Sequence, residues 1–172
     1  MKKLLTIIVI VSLFSCKKEN HTPDYHFTFA KDGVNTSYSG YILAHLDTSG
    51  NDIELTILGA NSPTSYDSYL GVYLNNYSGG GSITSGQYND SATNYTLLTT
   101  YAINSNESEA GQSVAADAAS YNIPIAQHFK LNITSMDKTA IKGTFSGDYF
   151  LGGDIHNQKI SITNGDFYVK FQ

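Results

Sequence analysis

"KISITNGDFYVKF", residues 159–171, is the stretch on which the fold reading turns. Apolar and polar residues alternate on both sides of Asn164-Gly165, and alternation with period two marks a strand with one buried face. Asn-Gly is the strongest short hairpin signal, because both central positions of a type I′ turn need positive φ. The segment therefore predicts two strands, Lys159 to Thr163 and Asp166 to Phe171, joined by a tight turn. Upstream the pattern repeats. Phe129, Leu131 and Ile133 alternate with His128, Lys130, Asn132 and Thr134; Asp137-Lys138 turns the chain; Ile141, Phe145 and Tyr149 then alternate through Gly143 and Gly147.

Towards the N-terminus, Tyr25, Phe27 and Phe29 share one strand face, and Asp32-Gly33 turns into a strand from Thr36 to Leu46 with Tyr38, Ile42, Ala44 and Leu46 inward. Thr48 to Asn51 turns the chain again, and Ile53, Leu55 and Ile57 form the inner face of a third strand. A fourth, Ser68 to Leu74, carries Leu70, Val72 and Leu74 on one side and Tyr69 and Tyr73 on the other; Gly79-Gly80-Gly81 ends it. Residues 82–90 read as a short irregular element, and Tyr95 to Ile103 as a central strand apolar on both faces. From Asn104 to Asn122 the pattern lapses, with four alanines between Ser113 and Ala119 that suit one helical turn or a covering loop. Antiparallel strands separated by turns every eight to twelve residues predict an all-β antiparallel β-sandwich, with a lipocalin-like β-barrel as the alternative. The sandwich is preferred, since the chain has no tryptophan to place near the first strand of such a barrel.

The first residues say something different. Met1-Lys2-Lys3 precedes an apolar run from Leu4 to Phe14, then Ser15 and Cys16, the pattern of an export signal. Eleven residues at about 1.5 Å each cover roughly 16 Å, too short for a hydrocarbon core of about 30 Å. Leu13-Phe14-Ser15-Cys16 resembles the bacterial lipobox, whose cysteine becomes the acylated first residue of the mature protein. The resemblance implies a signal peptide over 1–15, lipidation at Cys16, a tether over 16–24 and one domain over 25–172. Cys16 is the only cysteine, so no intrachain disulfide is available and the core must hold the fold. Cys16-Lys17-Lys18-Glu19 resembles the start of Bacteroidota lipoproteins, and "IKGTFSGDYF" with "ITNGDFYVKF" resembles a C-terminal pattern in small envelope lipoproteins of that group with unknown function. What this implies is a cell-envelope protein held at the outer membrane by its lipid, facing the periplasm or the surface, with no catalytic residues to carry over.

Loss of Lys2 and Lys3 with the leader leaves eight lysines against fifteen acidic residues, a formal charge near −7, and the chain has no arginine. Nucleic-acid binding is disfavoured, because phosphate contacts need a basic face and the guanine contact needs arginine. The same lack argues against a strong phosphate or carboxylate clamp.

Catalytic constellations are missing too. Asp148, Asp154 and His156 could offer ligands to a metal, but two converging ligands are too few. Asp47 to Asp52 has a glycine yet no glutamate where a calcium loop needs one, and His21, His26, His45, His128 and His156 show no zinc-binding spacing. No Gly-x-Ser-x-Gly elbow occurs, and no cofactor motif is present. Glu54 could pair with an acid on a neighbouring strand for glycoside hydrolysis, as could Asp148, without a partner named by the sequence. The expectation is thus a non-enzymatic module, with no metal or cofactor, that binds a glycan or an envelope protein. Tyr66, Tyr69, Tyr73, Tyr77 and Tyr88, interleaved with Asn, Ser and Gly, are the candidate contact residues, since tyrosine supplies rigid amphipathic area, and the loop over 104–122 is the other candidate contact region. The alternatives are a weak hydrolase of envelope polysaccharide and a passive structural lipoprotein. Asp90-Ser91-Ala92 resembles the Bacteroidota O-glycosylation triplet, which would make Ser91 the acceptor.

Overall fold

The computed structural model describes residues 23–64, 68–76, 81–103, 111–112, 125, 127–151, 154, 156 and 158–172. The signal segment, Cys16, the tether up to residue 22, Tyr66, Tyr77 and residues 113–119 fall outside them. Eleven strands form: β1 (His26–Lys31), β2 (Val34–Tyr38), β3 (Tyr41–Ser49), β4 (Asp52–Ala60), β5 (Ser68–Asn76), β6 (Gly86–Asn89), β7 (Thr96–Ile103), β8 (Gly111–Gln112), β9 (Lys130–Met136), β10 (Ala140–Leu151) and β11 (Lys159–Lys170). All pairings between them are antiparallel, and the architecture is a β-sandwich that does not close into a barrel.

One sheet runs β3-β4-β5-β7, the other β2-β1-β11-β10-β9-β6. The two-residue β8 joins them, pairing Thr100 and Tyr101 on one side and Phe150 and Leu151 on the other. At the opposite margin a single parallel bridge links Ala44 to Phe171, and the Gln172 N–H donates to the Ala44 carbonyl at 3.0 Å.

The inward parity read from the sequence supplies the core. Phe27, Phe29, Leu55, Ile57, Leu70, Val72, Leu74, Phe129, Leu131, Ile133, Ile141, Phe145, Tyr149, Phe167 and Val169 are all buried. Its centre is aromatic. Phe27 and Phe145 lie 5.1 Å apart, and Phe129 meets Tyr149 edge-on at 5.4 Å. Each buried ring of this size contributes roughly 1.5–3 kcal/mol from apolar burial. Gly143 and Gly147 flank Phe145 along β10 because the rings of Phe167 and Phe129 occupy the space their side chains would need.

The reading of Asn164-Gly165 as a hairpin is wrong. β11 runs unbroken from Lys159 to Lys170 between β1 and β10, and the pair forms a β-bulge inside it. Asn164 adopts φ 53°, and Asn164 and Gly165 together oppose the single residue Phe29, between the pairs Thr28–Asp166 and Ala30–Thr163. One extra residue reverses the parity, so Ile160 and Ile162 point inward before the bulge, and Phe167 and Val169 after it. The true type I′ hairpin is Asp32-Gly33, where both residues have positive φ, 48° and 84°, between the paired Lys31 and Val34.

Three smaller expectations also change. The strand predicted from Thr36 to Leu46 is broken at Ser39-Gly40 into β2 and β3, where a Cβ on Gly40 would strike the Asn61 carbonyl. Leu46 is 39% exposed, because β3 is an edge strand whose residues from His45 onward all face solvent. β7 is internal to its sheet, yet only Leu97, Thr99 and Tyr101 face the core, and Leu98 on the outer side is 41% exposed.

Candidate functional site

The strand register places two unlike surfaces on the outsides of the sandwich. On the β3-β4-β5-β7 sheet, one cross-strand row reads Tyr41, Ala60, Tyr69, Ala102; the next reads Leu43, Leu58, Gly71, Thr100; the next His45, Thr56, Tyr73, Leu98; the last Asp47, Glu54, Asn75, Thr96. Large and small residues interlock here. A Cβ on Gly71 would come within 2.9 Å of Tyr73 Cε2 and its hydroxyl oxygen, so the Tyr73 ring leans back along β5 and covers the glycine. Ala60 and Ala102, the cross-strand partners of Tyr69, are 0% and 7% exposed although they point outward, as small side chains roofed by larger neighbours do. Tyr41, Tyr69 and Tyr73 are themselves half-buried. Tyr69 and Tyr73 stand about 13 Å apart along one strand face, at roughly 3.3 Å per residue.

The polar margin of this face adjoins the rings. Glu54 stands directly opposite Asp47 and accepts a hydrogen bond from Asn75 Nδ2 at 3.2 Å. Asp47 is the neighbouring acid that the sequence alone did not identify for Glu54. Both acids are exposed on an open sheet face. Asp148, the other candidate acid, is on β10 in the opposite sheet with a fully buried side chain, 3.4 Å from Lys159 Nζ.

On the β6-β9-β10-β11 face a groove of about 790 Å³ follows the bulge in β11. Its floor is a row of polar side chains in register, Gln87, Asn132, Thr144 and Asp166, one from each strand. A second row brings together Asn89, Lys130 and Ser146. Beside it lies a smaller hollow of about 250 Å³ lined by Gln127, His128, Lys130, Ser146 and Gly147. At this end His128 Nδ1 is 2.7 Å from Asp90 Oδ1, while Asp90 Oδ2 accepts the Phe129 N–H at 3.0 Å. The Asp90 side chain is only 3% exposed. At the other end Asp166 lies 2.6 Å from His26 Nε2, and His26 Nδ1 is 2.8 Å from the Asp24 carbonyl. Burial opposes the charge on His26, but the bonds to the Asp24 carbonyl and to Asp166, with the negative charge of both aspartates, outweigh it and raise its pKa.

The candidate tyrosines are therefore split. Tyr69 and Tyr73 share the aromatic face, joined by Tyr41, which the sequence reading left out because it begins a different strand. Tyr88 lies in the other sheet, on the groove wall. Its hydroxyl donates to the Thr84 carbonyl at 2.8 Å and accepts the Thr84 N–H at 3.0 Å, and its ring packs on Tyr95 at 5.1 Å. Ser91 is exposed at the groove rim with its hydroxyl donating to Asn89 Oδ1 at 2.6 Å. Of the metal candidates, Asp154 accepts the His156 N–H at 2.9 Å in an exposed turn. Among the described residues no three His, Cys, Asp or Glu side chains converge. No protein-family model, curated protein or solved structure matches the chain, so its function is read from the chemistry of these two faces.

Proposed function

We propose that the protein is a lipid-anchored, non-enzymatic binding module of the cell envelope whose tyrosine face takes a glycan. The single observation that carries this reading is the Tyr73 ring lying over Gly71, beside Tyr69 on the same strand face. A ring laid against a sheet turns one π-face outward at little conformational cost, and the C–H face of a sugar ring stacks on such a surface. Glu54, Asp47 and His45, all exposed, border the rings and supply hydrogen-bond partners for sugar hydroxyls. The export signal and Cys16 support attachment to a membrane by lipid, and the envelope location follows from them.

A hydrolase reading has one observation in its favour, the direct opposition of Asp47 and Glu54. Both acids are exposed, however, and among the described residues none walls off the water that glycosidase chemistry must control. They serve the binding reading better as acceptors. Glycan-array screening of the full chain in detergent tests the proposal, followed by titration of any hit against Tyr73→Ala and Tyr69→Ala. Binding that falls by about tenfold or more in each variant, with the thermal transition unchanged, is the expected result. A clean negative array removes the reading, and Glu54→Gln leaves no hydrolytic activity to lose.

A further inference from the structure

We infer that the hollow beside the polar groove, on the sheet opposite the tyrosines, binds an oxyanion: the carboxylate or sulfate of a polyhydroxylated ligand whose body lies in the groove. The hollow has a volume of about 250 Å³, the scale of one such group with a few waters. Three of the side chains that line it can donate a hydrogen bond into it: the Gln127 amide, the Lys130 ammonium and the Ser146 hydroxyl. Among the described residues no carboxylate lines it.

Two acids neighbour it, Asp90 and Asp148, and both side chains are buried; Asp148, two residues beyond Ser146 on β10, lies 3.4 Å from Lys159 Nζ, and the placement of Asp90 strengthens the site. Both Asp90 oxygens are engaged from below, by His128 Nδ1 and by the Phe129 N–H, with the side chain 3% exposed. A buried carboxylate on one ring nitrogen fixes the orientation of the imidazole beside the hollow. Lys130 lies two residues on from His128, at the start of β9 and directly opposite Ser146 on β10, so ammonium and hydroxyl reach the hollow from two strands. The chain has no arginine, so these point donors do the work of a guanidinium fork, with affinity set by how many engage at once.

The groove gives the ligand a direction. From the hollow it runs past Asn132 and Thr144, an amide and a hydroxyl suited to sugar hydroxyls, to Asp166 at the far end. A second acidic group at that end would meet a like charge. The site therefore selects ligands with their negative charge at the His128–Lys130 end.

Isothermal titration of the full chain in detergent tests this with three probes: a glucuronate-terminated trisaccharide, the same sugar with its carboxyl reduced, and sodium sulfate. The acidic trisaccharide is expected to bind about tenfold tighter than its reduced form, a difference of about 1.4 kcal/mol. Lys130→Gln should erase that preference, while Tyr73→Ala leaves it intact, which separates this site from the tyrosine face. Lys130 is exposed, so Lys130→Gln reports on binding alone. Sulfate binding that disappears in Lys130→Gln also supports the hollow and identifies a free oxyanion as sufficient. Equal affinity for the acidic and reduced sugars together with no response to sulfate, or acid binding that survives in Lys130→Gln, overturns the inference.

Discussion

The two outer faces are built by the same alternation and end up chemically opposed. On the β3-β4-β5-β7 sheet the outward positions carry Tyr41, Leu43, Leu58, Tyr69, Tyr73 and Leu98, and the strands pair in uninterrupted register. On the β6-β9-β10-β11 sheet they carry Gln87, Lys130, Asn132, Thr144 and Asp166, and the surface is concave where the bulge at Asn164-Gly165 bends β11. Strand parity alone thus places a residue outside, and register irregularity decides whether the outside is a platform or a groove. An aromatic face suits stacking. A bent polar one suits hydrogen bonding to a ligand that is partly enclosed.

The sharpest way to break the comparison is through glycines with different neighbours. Gly147 underlies the groove side, and a Cβ there would overlap Phe129 Cα, which is backbone and cannot rotate away. Gly147→Ala should therefore cost about 3 kcal/mol or more, seen as a lower midpoint in guanidinium unfolding with little change in slope. Gly71→Ala on the tyrosine face meets only the far end of the Tyr73 ring, which can swing off the sheet. Its stability should change by less than about 1 kcal/mol. Its glycan affinity should nevertheless fall by about tenfold, because the ring no longer lies flat. If the two substitutions unfold the domain equally, the ring over Gly71 is part of the core and the platform reading fails.

Acids distinguish the faces next. Asp90 is buried under His128 and satisfies the Phe129 N–H, so Asp90→Ala strands a buried donor and should cost about 2 kcal/mol. Glu54 is exposed and bonds one amide of Asn75, so Glu54→Ala should stay within about 0.5 kcal/mol in the same thermal melts. A similar cost for both would mean that the Asp90–His128 pair is an ordinary surface contact without a supporting role.

These differences also show how far the sequence could be read. Alternation identified the inner face of β4, β5, β9 and β10, since Leu55, Ile57, Leu70, Val72, Leu74, Leu131, Ile133, Ile141, Phe145 and Tyr149, which it placed inward, are all buried. It could not decide between Asp32-Gly33 and Asn164-Gly165, two dipeptides with nearly the same turn chemistry. Asn164 takes the left-handed φ in both a turn and a bulge, and only the neighbours β1 and β10, already in place on both sides of β11, exclude the turn. The parity switch between Ile162 and Phe167 was the legible trace of the bulge. Tyr69 and Tyr73 were legible as a pair because they share one strand. Gln87, Asn132, Thr144 and Asp166 were not, since each comes from a different strand and register alone lines them up. Asp90 was read for the triplet it begins, and nothing local to it signals His128, 38 residues away.

The smallest expected effect concerns the far end of the groove, where a pH change acts on the polar face. His26 has an acceptor on each ring nitrogen, the Asp24 carbonyl and the Asp166 carboxylate, and a carbonyl oxygen can only accept. With both nitrogens donating, the ring is the imidazolium, in keeping with its raised pKa, which burial resists and the hydrogen bonds and aspartate charges impose. A group whose pKa is higher folded than unfolded stabilises the fold fully below its unfolded value, about 6.5, and the contribution disappears as pH climbs through the folded value above it. The pair is substantially exposed, so the contribution should be under about 1 kcal/mol and should weaken in salt. Urea unfolding of the native chain and His26→Gln across pH 5.5 to 8.5 should therefore give curves that are separated at the acid end and converge at the alkaline end. Curves that stay parallel would show that His26 acts through its packing against Tyr168, 6.4 Å away, and that Asp166 holds no imidazolium at the end of the groove.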